Sequence, residues 1–278
     1  MKNLINYVCL FFAALILVAC KPVEDRDLIG DSITADQLNV TATPLVVDGK
    51  KTNKVVLENH SPVLSLWDYG TGKSRKQSDT VLMVMNGEQD IYFTGFNPNG
   101  TTVEKKLEIV VEELKFPVAP EYAFLCGTGT KSWKWRETAR AWGNGGFRAD
   151  SGPAWWSLMV GELDGTLIRG EGKGSQFSLA LRGSVLTKKR NDGTVLTGKF
   201  EIDLNSKLNH TSNTRLWSLG MLKTTISVPG GVYYKPDKKE AKEFHIVQLT
   251  NDLLVLAVAP PGISAGQECW FSVFVPAE

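Results

Sequence analysis

The chain has 278 residues, 42% of them hydrophobic, with 31 Lys and Arg against 30 Asp and Glu. A formal net charge of +1 leaves no domain-wide basic field, so nucleic acid is not expected as a main partner. The length suffices for two domains, and the absence of a CxxC pair or Cys/His cluster suggests no zinc site.

Residues 1–19 read as an export signal: Lys2 supplies the positive start, and YVCLFFAALILVA from residue 7 is too short to span a bilayer well. The stretch ends in Leu17-Val18-Ala19-Cys20, which resembles the lipobox of bacterial lipoproteins. That resemblance implies cleavage before Cys20, acylation of its sulfur and new N-terminus, and a short polar tether over residues 20–30. The expected location is the outer membrane, lipid-anchored and facing the cell surface.

Short alternating apolar runs then dominate, separated by turn pairs such as Asp48-Gly49, Asn86-Gly87, Asn99-Gly100, Asp164-Gly165 and Asp192-Gly193. LNVTATPLVV, NKVVLEN, TVLMVMN, DIYFTGFN and KLEIVVEEL precede KFPVAP at 115–120, where two prolines end one strand system. YAFLCG, FSLALRGSVL, TGKFEIDLN, FHIVQL, LLVLAV and CWFSVFV follow it. The fold expected is all-β, with one sandwich over 31–114, a linker at 115–120 and a second sandwich over 121–278.

Within the first domain, Trp67-Asp68-Tyr69-Gly70-Thr71-Gly72 resembles the W-D-F-G-D-G signature of PKD domains, with Tyr69 in place of Phe and Thr71 in place of the second Asp. The resemblance covers residues 31–114 and implies an immunoglobulin-like sandwich that acts as a spacer, with Trp67 in its core. The second domain looks like the jelly-roll-like, carbohydrate-binding-type sandwich that follows PKD-like domains in surface lipoproteins of Bacteroides-type bacteria. The pieces that carry this are Trp133-x-Trp135, the glycine-rich loop ending in Trp155-Trp156, the WSLG at 217–220 and the closing Cys269-Trp270-Phe271. Such lipoproteins are associated with polysaccharide capture, so the implied partners are a polysaccharide, the membrane through lipid, and an outer-membrane glycan transporter.

Chemistry has one lead. Glu201-Ile202-Asp203-Leu204-Asn205-Ser206 resembles the E-x-D-x-x-E strand of family-sixteen glycoside hydrolases, in which two glutamates flank the scissile bond. Here the acid/base position is Ser206, whose hydroxyl cannot protonate a leaving group at neutral pH. No G-x-S-x-G elbow, HExxH helix or phosphate loop appears, and His60, His210 and His245 lie in unrelated contexts. Neither catalysis, a cofactor nor a metal is expected. With Cys9 in the signal and Cys20 taking lipid, only Cys126 and Cys269 remain, placed on the first and last strands of the second domain. A disulfide between them and two buried thiols both stay open.

Five of the eight tryptophans fall in residues 133–156, among glycines and a proline that break regular structure. Trp67, Trp217 and Trp270 read as core. In strand register Trp133 and Trp135 share a face, and Trp155 and Trp156 oppose each other, sending one of that pair inward. Trp142, beside GNGG, reads as a loop indole exposed to ligand. The expected sugar platform is therefore Trp142 with one of Trp155 and Trp156. Trp133 and Trp135 are candidates for either role, and Arg136, Arg140, Asn144, Arg148 and Asp150 supply directed hydrogen bonds. Tyr233 and Tyr234 form a second aromatic loop.

Overall fold

The computed structural model describes residues 32–166, 169–233 and 239–277. The signal, Cys20, the tether and Tyr234 lie outside the described residues. Of the described chain, the first part is a sandwich. β1 (Val40–Val47), β2 (Lys50–Asn59) and β5 (Ser78–Leu82) form a three-stranded sheet. β3 (Leu64–Asp68), β4 (Lys73–Ser74), β6 (Gly87–Phe96) and β7 (Thr102–Val111) form a four-stranded one in the order β4-β3-β6-β7. Asp48 and Gly49 turn β1 into β2 with φ of 52° and 78°, the left-handed pair that matches strand twist in a two-residue hairpin. Alternate residues of both sheets meet in one core, where Val55 and Leu57 face Trp67, Ile91 and Phe93. Trp67 lies edge-on to Phe93 at 4.6 Å and donates its Nε1–H to Lys76 O at 3.1 Å, so the indole is buried with its polar atom satisfied.

Residues 121–126 are expected as a strand and are instead the end of a helix, α1 (Pro120–Cys126). Proline at the first helical position is pre-set for helix and none of PEYAFLC is β-branched. Gly127, at φ 62°, ends it. The linker is tied down on its other side: Asn53, buried, donates to Phe116 O at 3.0 Å and accepts from Phe116 N at 2.9 Å.

The rest is built on β8 (Thr130–Trp135), β9 (Trp142–Gly146), β10 (Trp156–Leu158), β11 (Gln176–Ala180), β12 (Val185–Lys189) and β13 (Val195–Asp203). Then come the two-strand hairpin β14 (Leu208–Asn209) and β15 (Leu216–Ser218), β16 (Met221–Thr224), and the pair β17 (Val232–Tyr233) and β18 (Lys239–Glu240). β19 (Glu243–Leu249), β20 (Leu254–Val258) and β21 (Glu268–Pro276) complete it. FSLALRGSVL, expected as one strand, is two: Gly183 at φ 70° breaks it between β11 and β12.

This half is not the two-sheet jelly roll expected from the sequence. Hydrogen bonding runs β8-β11-β12-β13-β16-β19-β20-β21 and returns to β8, closing an eight-stranded antiparallel barrel. The closing strand is the reason. β21 is nine residues long, and its last three, Phe274, Val275 and Pro276, pair with Trp135, Lys134 and Trp133. Its earlier residues 268–272 pair with β9, which carries β10 on its far side as a flap.

An eight-stranded barrel is just wide enough for side chains to fill, and these do. Trp133, Trp135, Phe177, Phe200, Phe244, Trp270 and Phe274 pack inside, and Leu125 and Cys126 of α1 join the same core. A smaller cluster (Trp217, Val247, Val255, Cys269 and Phe271) covers the outside of the wall under Phe147 and Leu208. Val84 and Met85 of the sandwich pack against the barrel core, and Ser184 Oγ donates to Gly70 O across the junction.

Candidate functional site

The tryptophan cluster divides differently from its sequence reading. Of eight tryptophans six are buried; Trp155 and Trp156 are not, at 54% and 44% exposure. Trp133 donates to Leu125 O at 2.9 Å, and Trp135 donates to Glu171 O at 2.8 Å and Ser175 Oγ at 2.9 Å, so both are barrel core. Trp142, expected as an exposed loop indole, is fully buried. It opens β9 with its ring on the barrel-interior face, stacks on Trp270 at 4.6 Å and donates to Gly230 O at 3.0 Å. The glycines that suggested a loop instead let β9 lie against its neighbours: a Cβ at Gly143 would clash with the carbonyl of Trp156.

Trp156 rests on this buried pair. It is edge-on to Trp142 and to Trp270, with centroids 6.1 Å away in each case. Strand register sets it opposite Asn144, and Asn144 opposite Trp270. Asn144 Oδ1 accepts from Trp156 N at 2.9 Å, and Asn144 O accepts from Ala154 N and Trp155 N. Asn144 is thus a positioning group for the flap rather than a free ligand-binding amide. The expectation that one of Trp155 and Trp156 turns into the core fails because β10 is a three-residue outer strand, with no further strand paired beyond it among the described residues. The Trp155 ring instead packs near Gly146, whose Cβ would sit 3.4 Å from Cζ2.

Beside the flap lie two arginines where β8 and β9 diverge along β21. Arg136 N bonds Val273 O, and Arg136 Nη2 donates to Arg140 O at 2.6 Å. The exposed Arg140 donates Nη1–H to Ser157 O, directly after Trp156. Arg136 also borders a cleft of about 310 Å³ with Asp150, Pro153, Ala154 and Gln248, floored by Val255 and Val273. Asp150 Oδ2 accepts from Gly146 N at 2.7 Å and Gln248 Nε2 donates to Ser151 O at 3.0 Å, fixing that loop. The sequence flagged Arg136 and Asp150 but not Gln248, which reaches the loop from β19, 97 residues away. Arg148, by contrast, turns to Asn209 O at 2.8 Å and braces the β14–β15 hairpin.

Glu201 and Asp203 alternate on the outer face of β13, with Phe200 and Ile202 inside. Glu201 lines a cleft of about 230 Å³ between sandwich and barrel, with Asp68, Lys73, Ser184, Lys199 and Lys223. Asp203 accepts from Ser206 Oγ at 2.7 Å and Lys223 Nζ at 3.0 Å, and these bonds hold its carboxyl down at about 2. Ser206 is thereby a cap for Asp203. His60 is exposed and His210 Nε2 meets Ala149 O at 2.6 Å. Tyr233 is half-buried, and burial raises its hydroxyl pKa. Cys126 and Cys269 are both free and buried, on opposite sides of the barrel wall, so the disulfide left open by the sequence is absent.

No family profile and no curated protein matches the chain. Among solved structures, 30% of the chain is similar to 98% of the PKD1 domain of Vibrio anguillarum Epp, at 13% identity and a TM-score of 0.24.

Proposed function

We propose that this is a lipid-anchored outer-membrane protein that holds polysaccharide at the cell surface without cutting it, with the β9–β10 flap as its platform. The observation that carries the reading is the pair Trp155 and Trp156, two adjacent indoles left about half exposed while every other tryptophan is buried. Large aromatic surface left exposed on a rigid element is costly unless it meets a partner. Arg140 and the cleft beside Arg136 supply polar groups of the kind that orient a sugar against such a surface. A glycan transporter in the same membrane is the partner this role implies.

Two other readings compete. A glycoside hydrolase would need a carboxyl able to protonate a leaving group near Glu201, and Asp203, pinned as carboxylate at about 2, is unsuited to that. A protein-binding adhesin would use the same indoles on a different ligand.

Affinity gel electrophoresis across a polysaccharide panel separates the three. Retardation by at least one glycan, weakened tenfold or more in Trp155→Ala and Trp156→Ala, is expected (about 1.4 kcal/mol or more). Unchanged retention in both variants removes the platform. Release of reducing sugar by the wild type, lost in Glu201→Gln, would establish hydrolysis instead.

A further inference from the structure

We infer that the glycan taken by this flap is anionic, bearing carboxylate or sulfate groups that pair with Arg136 and Arg140. The inference rests on the glycan-binding reading above and adds the ligand's charge. Its first support is the fixed position of the two guanidiniums. Arg136 is held by Arg140 O and Arg140 by Ser157 O, so each cation is oriented by a backbone carbonyl before any ligand arrives. Arginine prepared in this way recognises planar oxyanions through its fork of N–H donors with little further loss of side-chain entropy.

The second support is that neither charge is neutralised. Among the described residues, no carboxylate lies within ion-pair distance of Arg136 or Arg140, whereas Arg190 meets Glu171 at 3.2 Å. Arg136 Nε is moreover buried with no acceptor. A guanidinium partly removed from water without a counter-ion is unfavourable, and an anion bound in the adjoining cleft offsets that cost.

The third support is the shape and chemistry of the surface. The cleft, at about 310 Å³, is large enough for a sugar unit. Ala154 on its wall immediately precedes Trp155 in the chain, so the cleft and the indole pair belong to one loop. Asp150 and Gln248 line it together with Arg136, giving acceptor and donor groups for hydroxyls while Arg136 takes the acid.

The test uses the full chain in affinity gels containing polygalacturonate, chondroitin sulfate or a neutral galactomannan, at low and at 0.3 M salt. Retardation by an anionic glycan is expected, weakened by salt and reduced at least tenfold in Arg136→Gln and in Arg140→Gln. Trp156→Ala should reduce it as well. Polygalacturonate alone would assign carboxylate, and chondroitin sulfate alone sulfate. Arg140→Gln, at an exposed side chain, keeps the test valid if Arg136→Gln fails to fold. Galactomannan bound as well as either anionic glycan, or anionic binding unchanged in both arginine variants, would overturn the inference and leave glycan binding standing. No retardation by any glycan would overturn both.

Discussion

Lys188 donates its ammonium to Glu171 Oε1 at 2.8 Å inside the barrel, with side-chain exposures of 1% and 2%. The pair is the first link of a chain that ends under the flap. Glu171 Oε2 accepts from Gly230 N at 3.2 Å, Gly230 O accepts from Trp142 Nε1, and Trp142 supports Trp156. Gly230 has φ of 68° and lies so close to Trp135 that a Cβ would strike the ring, so no other residue fits there without strain. Removing one member of a buried ion pair strands the other's charge, typically at 3–5 kcal/mol. Glu171→Gln should therefore lower stability by that order in urea unfolding. The double variant Glu171→Gln, Lys188→Met should recover part of the loss, because the fully buried ammonium is gone and the less buried Arg190, which also meets Glu171 at 3.2 Å, keeps Glu240 at 3.9 Å. A double variant as unstable as the sum of its parts would show the two residues act independently.

Trp142 and Trp155 should separate folding from binding. Trp142 is fully buried and stacked on Trp270, so Trp142→Ala opens a cavity at a cost of about 3–5 kcal/mol. Trp155 is more than half exposed, and Trp155→Ala should change the unfolding midpoint little. Circular dichroism melts and affinity gels on the same two proteins check this: Trp142→Ala should lose stability, and Trp155→Ala should lose glycan retention with its melt unchanged. The reverse pattern would relocate the site to the barrel interior.

These residues also show what the sequence could reveal. Alternation and turn pairs identify an all-β chain because period-two patterning and glycine at positive φ are local properties, as in Asp48-Gly49. Trp67 and Trp217 were legible as core for the same reason. The fate of Trp142 was not, because its burial depends on Gly230, 88 residues on, and on Trp270 in the last strand. Closure of the barrel is equally non-local, being decided by three residues of β21 that reach back to β8. Helix α1 is poorly legible because the short apolar run of YAFLC reads equally as a strand, and only Pro120 at its start signals a helix. Of the candidate site, the exposed indoles were visible as a cluster. That both stay outside follows from the flap's position beyond β21, which no local pattern encodes.

His245 should make the fold sensitive to mild acid. Its ring lies 5.3 Å from Trp217 and 5.5 Å from Phe147, its Nδ1 is buried without a partner, and burial pushes its pKa down to about 4. The unfolded chain takes up this proton near pH 6.5, whereas the folded chain resists until about pH 4, so the unfolded state binds more protons between the two. Stability should be constant above about pH 6.5 and fall as pH drops toward 4, by up to roughly 3 kcal/mol at 1.36 kcal/mol per pKa unit. Thermal melts of the wild type and of His245→Phe across that window check this. The variant should show a distinctly shallower decline, and equal slopes in both proteins would assign the acid sensitivity to other groups.

The two cysteines should be inert in the folded protein and free once it unfolds. Cys126 sits in the barrel core at the end of α1 and Cys269 faces outward under Phe147, with the sheet between them. Burial pushes both thiols up to about 12, and the thiolate is the species that attacks alkylating agents. Iodoacetamide at pH 8 should leave both unmodified in the native state over times that fully modify a free thiol. In guanidinium, without any reductant, peptide mapping should find both alkylated. Alkylation that appears only after reduction would mean the two are bonded, and with Cys126 inside the wall and Cys269 outside it, a bond would require a different path for β21.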